Sequence, residues 1–332
     1  MSRPWPPGAV TGIGSLPGTD PVEAAAFVFG ELADLPHLPE LPARGPGAQL
    51  VGRGAALLVD LPVEIGSSGW RLTAHPGHDL RRARDLLEWD LDALEAAGAG
   101  YAGAVKVQAA GPWTLAANVE LGNGHKIVTD RGAVRDLAES LTEGLRQHLA
   151  EVARRVPGAD LVLQLDEPSL PTVLAGRVAT PSGYGTVRTV EAEEAERVLR
   201  DLLAVAPEDG RVVHCCAPDV PIALLRAAGA DAIALDASLI TREHYDALGE
   251  TIDAGIALWL GVLPGTDAEI TLDTARAPIR TLWSALGFAP KLLAEQVVPT
   301  PACGMANATP AYARRVLRLL RDTGAALLDA AS

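Results

Sequence analysis

Short apolar runs recur along the chain, each closed by Gly, Pro or charged residues, and most are followed by apolar residues at helical spacing. Runs of this length, rich in Val, Ile and Leu and bounded by turn residues, read as buried strands. They fall at residues 9–16, 57–61, 105–108, 161–165, 211–216, 232–236, 256–262 and 295–299. Helical spacing places helices at 20–32, opened by Asp20-Pro21, and at 79–97, 130–155, 191–205, 221–228, a stretch ending near 254, 272–286 and 312–328. The Pro- and Gly-rich stretch 35–47 reads as a long irregular loop.

Eight strands alternating with helices is the α/β pattern of a (β/α)8 barrel; a doubly wound open sheet is the other arrangement it permits. The polar positions favour the barrel. Ser15, Asp166, His214, Cys216, Asp236 and Cys303 all fall at or just past strand C-termini. In a barrel those ends converge on one mouth. No linker or shift in composition divides the chain, so residues 1–332 read as a single barrel domain. Asp60 and Glu64, at the end of the second expected strand, are candidates to face a pocket or, as carboxylates usually do, the solvent.

The chemistry concentrates in Arg211-Val212-Val213-His214-Cys215-Cys216-Ala217-Pro218. Side chains two apart on a strand share a face, so His214 and Cys216 point together while Cys215 points the other way. A buried cysteine can equally be a small hydrophobe. The remaining cysteine, Cys303, stands before Gly304 at another strand end and turns the reading toward a metal. One imidazole, two thiolates and a fourth ligand suit tetrahedral zinc, and widely separated ligands suit a site assembled by the fold rather than a zinc finger. Asp236, at the end of the next strand, is the natural oxygen ligand, although an ordinary strand-end Asp fits the spacing nearly as well.

Composition narrows the partners. The net charge is −14, with 28 basic residues spread along the chain against 42 acidic ones, which disfavours nucleic acid and anionic membranes. No run approaches the roughly 18 apolar residues of a membrane span, and the N-terminal residues lack the apolar core of a signal peptide. Three cysteines argue against a disulfide framework and for a reducing, cytoplasmic setting.

Several segments together resemble the catalytic half of cobalamin-independent methionine synthase: Thr11-Gly12-Ile13-Gly14-Ser15-Leu16-Pro17, Gly111-Pro112-Trp113-Thr114, Gln164-Leu165-Asp166-Glu167-Pro168, His214-x-Cys216 and Cys303-Gly304. Their order matches the family, and they span nearly the whole chain. The resemblance implies a (β/α)8 barrel with zinc held by His214, Cys216, Asp236 and Cys303, the family having Glu where this chain has Asp236. It also implies that Ile13, Gly14 and Ser15 hold the carboxylate of homocysteine or methionine and that Asp166 accepts its amino group. The expected activity is transfer of a methyl group to the homocysteine thiol.

The methyl donor is left open by two departures. The family's full-length enzymes carry a second, N-terminal barrel that helps to hold folate, and this sequence has one barrel only. A family histidine after the seventh strand is replaced here by Gly261-Val262-Leu263-Pro264-Gly265-Thr266. A methylfolate, a methylcorrinoid carrier protein and a simple methyl compound are the candidate donors. Two other readings stand beside this one: alkylation of a different small thiol, and non-catalytic binding of homocysteine or methionine.

Overall fold

The structure is a computed structural model that describes residues 3–180 and 185–331. The chain opens with an extended N-terminal arm and α1 (Pro21–Glu31), where Asp20 caps the helix by accepting from the N–H groups of Val22 and Glu23 at 2.8 and 3.2 Å. Next come α2 (Leu50–Leu57), a hairpin of β1 (Val63–Gly66) and β2 (Gly69–Leu72), and α3 (His78–Ala97). A regular alternation follows: β3 (Gly103–Ala110), α4 (Pro112–Asn118), α5 (Arg131–Arg155), β4 (Ala159–Asp166), α6 (Leu170–Leu174), α7 (Ala192–Leu203), β5 (Arg211–Cys215), α8 (Ile222–Ala227) and β6 (Ala232–Asp236). It ends with α9 (Tyr245–Asp253), β7 (Ala257–Leu263), α10 (Leu272–Leu286), α11 (Lys291–Gln296), β8 (Val297–Pro301) and α12 (Pro310–Ala331).

Strands β3 to β8 form one parallel sheet in chain order. Two further staves close it into a TIM barrel. The Thr11 N–H reaches the Pro299 carbonyl of β8, and segment 9–16 pairs with segment 36–40 through Leu16 N–H to Glu40 O (2.9 Å) and Glu40 N–H to Gly14 O (3.1 Å). That second segment joins β3 through Leu38 N–H to Lys106 O and Lys106 N–H to Pro36 O, both 2.9 Å. Pro36 and Pro39 have no N–H to give, so this stave is bridged at a few points and never becomes a continuous ladder.

This placement corrects two sequence expectations. The second stave lies within the Pro-rich stretch read as a loop. The run 57–61 is not a strand: Leu57 ends α2, Leu58 is buried beyond it, and Asp60 turns the chain with φ 54°. A short apolar run does not distinguish a buried helix end from a strand by its periodicity. Asp60 is exposed, and Glu64 pairs with Arg71 across the hairpin.

The barrel interior is layered. Its floor is apolar, built from Trp5, Ala104, Val162, Val212, Ala232, Ala234, Ala257, Trp259 and Val298 with their neighbours, and Trp5 meets Trp259 edge-on at 5.2 Å. Arg3 fastens the arm beneath this floor through the carbonyls of Glu295 and Gly255. Continuing up the same inward-facing register, β3 presents Lys106 and Gln108, β4 Gln164 and Asp166, and β5 His214, all buried. A second, larger apolar layer lies between the sheet and the helices.

His148 on α5 is buried in that outer layer, and desolvation, helped by the Arg53 guanidinium, lowers its pKa to about 4. The unfolded chain takes up this proton near pH 6.5 and the folded chain does not, so the stability present above pH 6.5 is lost as the pH falls toward 4. His148→Gln should flatten that acid limb by about 1.4 kcal/mol per pH unit, measured by denaturant unfolding across this range.

Candidate active site

Strand β5 delivers His214 into the barrel mouth, and the chain just beyond it delivers Cys216. As strand alternation requires, Cys215 points the other way and is buried, and desolvation pushes its thiol up to about 12. The loop after β8 brings in Cys303, whose Sγ lies 3.2 Å from that of Cys216. The ligand atoms of His214, Cys216 and Cys303 all lie within 4.8 Å of one another.

The imidazole is held in one orientation. Its Nδ1 lies 2.7 Å from Asp166 Oδ1, which also accepts from Gln164 Nε2 at 2.7 Å. With Nδ1–H donating to the carboxylate, Nε2 is left free, and this buried atom has no partner among the described residues. A carboxylate-oriented histidine with a free Nε2 beside two thiols is a donor set ready for a metal ion. The hydrogen bond between the two sulfurs holds the Cys303 thiol below its ordinary value and pushes Cys216 above it. Three of the four expected ligands are thus brought together. Asp236 is not among them: it sits at the end of β6, where its Oδ1 accepts from Ser238 N–H at 2.8 Å and Ser238 Oγ at 2.7 Å and caps the turn that follows.

The Ile13-Gly14-Ser15 loop lies against this group. Met305 donates its N–H to Ser15 O at 2.8 Å, fastening the loop to the one that carries Cys303. Gly304 is in such close contact that a Cβ there would lie 1.9 Å from Ser15 Oγ. From below, Ile13 O accepts from Lys106 Nζ at 2.7 Å and Gln164 Nε2 at 2.9 Å.

Sequence reasoning missed two carboxylates here. Glu40, in the Pro-rich stave, is buried with its side chain near Arg53 and Gln108; desolvation raises its pKa against the pull of Arg53. Proline content hid it, since nothing in that stretch signalled a strand end. Glu167 accepts from Trp113 N–H (2.9 Å), Thr114 N–H (2.7 Å) and Thr114 Oγ1 (2.7 Å), tying β4 to the start of α4, and desolvation raises its pKa to about 7. Asp166-Glu167-Pro168 and Gly111-Pro112-Trp113-Thr114 were each visible as motifs, but the contact between them was not.

A (β/α)8 barrel whose mouth gathers an imidazole, two thiols and an inward carboxylate has the layout of a barrel enzyme, with a group that could hold a metal ion at the C-terminal ends of its strands. The family model described as cobalamin-independent synthase, catalytic domain, matches residues 8–326, and the chain belongs to that family of methionine-synthase-like methyltransferases. In fold it is similar to a B12-independent methionine synthase from Shewanella sp. W3-18-1 solved with selenomethionine, at 12% identity and a TM-score of 0.62 over 97% of this chain and 98% of that one. A weaker likeness is to GH5_18 from Streptomyces cattleya in complex with GlcNAc, at 15% identity and a TM-score of 0.45 over 99% of this chain and 81% of that one. No curated protein matches. Among the described residues, no helix is long and apolar enough to cross a membrane.

Proposed function

We propose that this protein is a zinc-dependent methyltransferase that methylates the thiol of homocysteine to give methionine. The observation that carries the reading is the His214–Cys216–Cys303 group, with its free Nε2 and paired sulfurs, set beside the Ser15 loop. Two sulfurs and one imidazole nitrogen suit zinc among the common metals. Asp236, which lies outside this group with its Oδ1 committed to Ser238, would have to turn toward it to serve as the fourth ligand. Zinc, when bound, supplies the Lewis acidity that keeps a substrate thiol ionised near neutral pH.

The chain's own residues provide the rest. Asp166, with Oδ1 committed to His214 and Gln164, offers its second oxygen to the substrate ammonium. The Ile13–Gly14–Ser15 backbone and the Ser15 hydroxyl receive the carboxylate. Held at both ends, the amino acid presents its sulfur to the metal group and to a methyl donor arriving from the mouth, which fixes the line of attack. A methylfolate, a methylcorrinoid carrier protein and a simple methyl compound remain the candidate donors.

The test is to supply zinc-loaded protein with homocysteine and, separately, methyltetrahydrofolate, methylcobalamin and S-methylmethionine, and to measure methionine by mass spectrometry. Methionine formed from one donor is expected; none from any donor, with zinc content verified, contradicts the reading. A smaller effect tests the loop. In Gly304→Ala the new methyl group forces the Ser15 hydroxyl to rotate away, a motion that a side-chain end makes without unfolding anything. Methionine affinity by calorimetry should fall about ten-fold, the worth of one hydrogen bond, with thermal stability nearly unchanged.

A further inference from the structure

Lys106 is wholly buried in the barrel interior, one layer below the mouth. Its ammonium has three N–H groups and three acceptors: Ile13 O at 2.7 Å, Gln164 Oε1 at 2.8 Å and Gln108 Oε1 at 3.3 Å. With every proton placed, it has none to hand to a substrate, and it does not reach the mouth. Burial pulls its pKa down to about 7 against the opposing pull of Asp166 and Glu40, so an ammonium here comes at a cost in desolvation.

The return is geometric. A trans peptide is planar, with C=O and N–H pointing in opposite directions. Lys106 and Gln164 grip Ile13 O from the interior side, so the N–H of the same peptide, that of Gly14, is turned away from them toward the mouth. Among the described residues this buried N–H has no acceptor. The Gln108 amide that anchors Lys106 is itself fastened to Leu38 O at 2.6 Å, and a Cβ on Gly14 would meet the Gln108 side chain at 3.0 Å. The peptide is clamped from below and bare above.

We propose that Lys106 is the positioning residue for recognition of the substrate α-carboxylate: by fixing the Ile13–Gly14 peptide it aims the Gly14 N–H at that group, and its charge favours an anion there. The proposal rests on the reading of the Ser15 loop as the carboxylate subsite. It makes Lys106 a determinant of selectivity for α-amino acids over the corresponding amines, with no contact to the ligand.

The test compares binding of L-methionine and of 3-(methylthio)propylamine, which keeps the ammonium and thioether but lacks the carboxylate, by calorimetry on the full-length protein. The wild type should prefer methionine strongly. In Lys106→Met, methionine affinity should fall about 10- to 100-fold, the worth of a charge-assisted hydrogen bond, while the affinity for the amine stays unchanged. Lys106→Gln, with a neutral polar head too short to reach Ile13 O, carries the same expectation if the Met variant does not fold. A merely structural role would weaken both ligands together and leave their ratio intact, and that result overturns the proposal. If the wild type itself binds the two ligands equally, the carboxylate subsite fails, and the role of Lys106 with it.

Discussion

Cys216→Ser should strip the protein of nearly all bound zinc, whereas the same exchange one residue earlier, at Cys215, should leave the zinc content unchanged. The contrast follows from the two faces of a strand. Cys216 continues the inward register of His214, and its sulfur lies 3.2 Å from that of Cys303. Cys215 is buried on the opposite face, and its thiol is pushed up to about 12 by desolvation, the state of an inert packing group. Losing a thiolate ligand should cost zinc affinity more than the roughly 10- to 100-fold known for partners one shell further out. Metal analysis after dialysis against a weak chelator reads the difference directly. Equal loss in both variants would remove the strand-face argument.

Asp166→Asn should weaken two things at once. Asp166 Oδ1 holds His214 by Nδ1, and in the proposed site the second oxygen receives the substrate ammonium. An amide can still offer one oxygen to the imidazole, but it then turns an N–H donor toward the ammonium and carries no charge. Zinc affinity should fall about 10- to 100-fold, as for other carboxylates behind a metal-bound histidine. Methionine affinity should fall by a similar factor through the lost charge-assisted hydrogen bond. Chelator competition measures the first and calorimetry on zinc-saturated protein the second. Unchanged methionine affinity would take Asp166 out of the substrate site, and unchanged zinc affinity would make its bond to His214 incidental.

The contact between Asp166 and His214 shows where sequence reasoning reaches its limit. The facing of His214 and Cys216 was legible because strand alternation is a local rule, and the convergence of Cys303 with them was legible because a barrel gathers its strand ends. The position of Asp166 at a strand end was legible and the resemblance implied its role toward an amino group, but its contact with His214 depends on the register between β4 and β5, which pairs those two residues directly. No single strand encodes that register. Asp236 shows the converse: its position at a strand end was legible, but the competing Ser238 donors two residues on were overlooked, though an Asp that caps its own turn is a local pattern.

The fold was legible for the same reason in part. Strands β3 to β7 and the long helices have clean apolar periodicity and were placed to within a few residues. The first quarter of the barrel was not, because its second stave, with Pro36 and Pro39, looks like a loop, while the apolar run 57–61 looks like a strand and is the end of α2. There, barrel closure overrides local preference. Glu40, the residue this hides, lies directly beside the Ser15 loop.

The central claim is that this mouth holds zinc in order to bind a thiol. The most direct measurement is zinc content combined with X-ray absorption at the zinc edge, with and without homocysteine. The account predicts about one zinc per chain, with a first shell of two sulfurs and nitrogen or oxygen ligands that gains one sulfur when homocysteine is added. A zinc shell that homocysteine leaves unchanged, or a protein that binds no zinc, would contradict it.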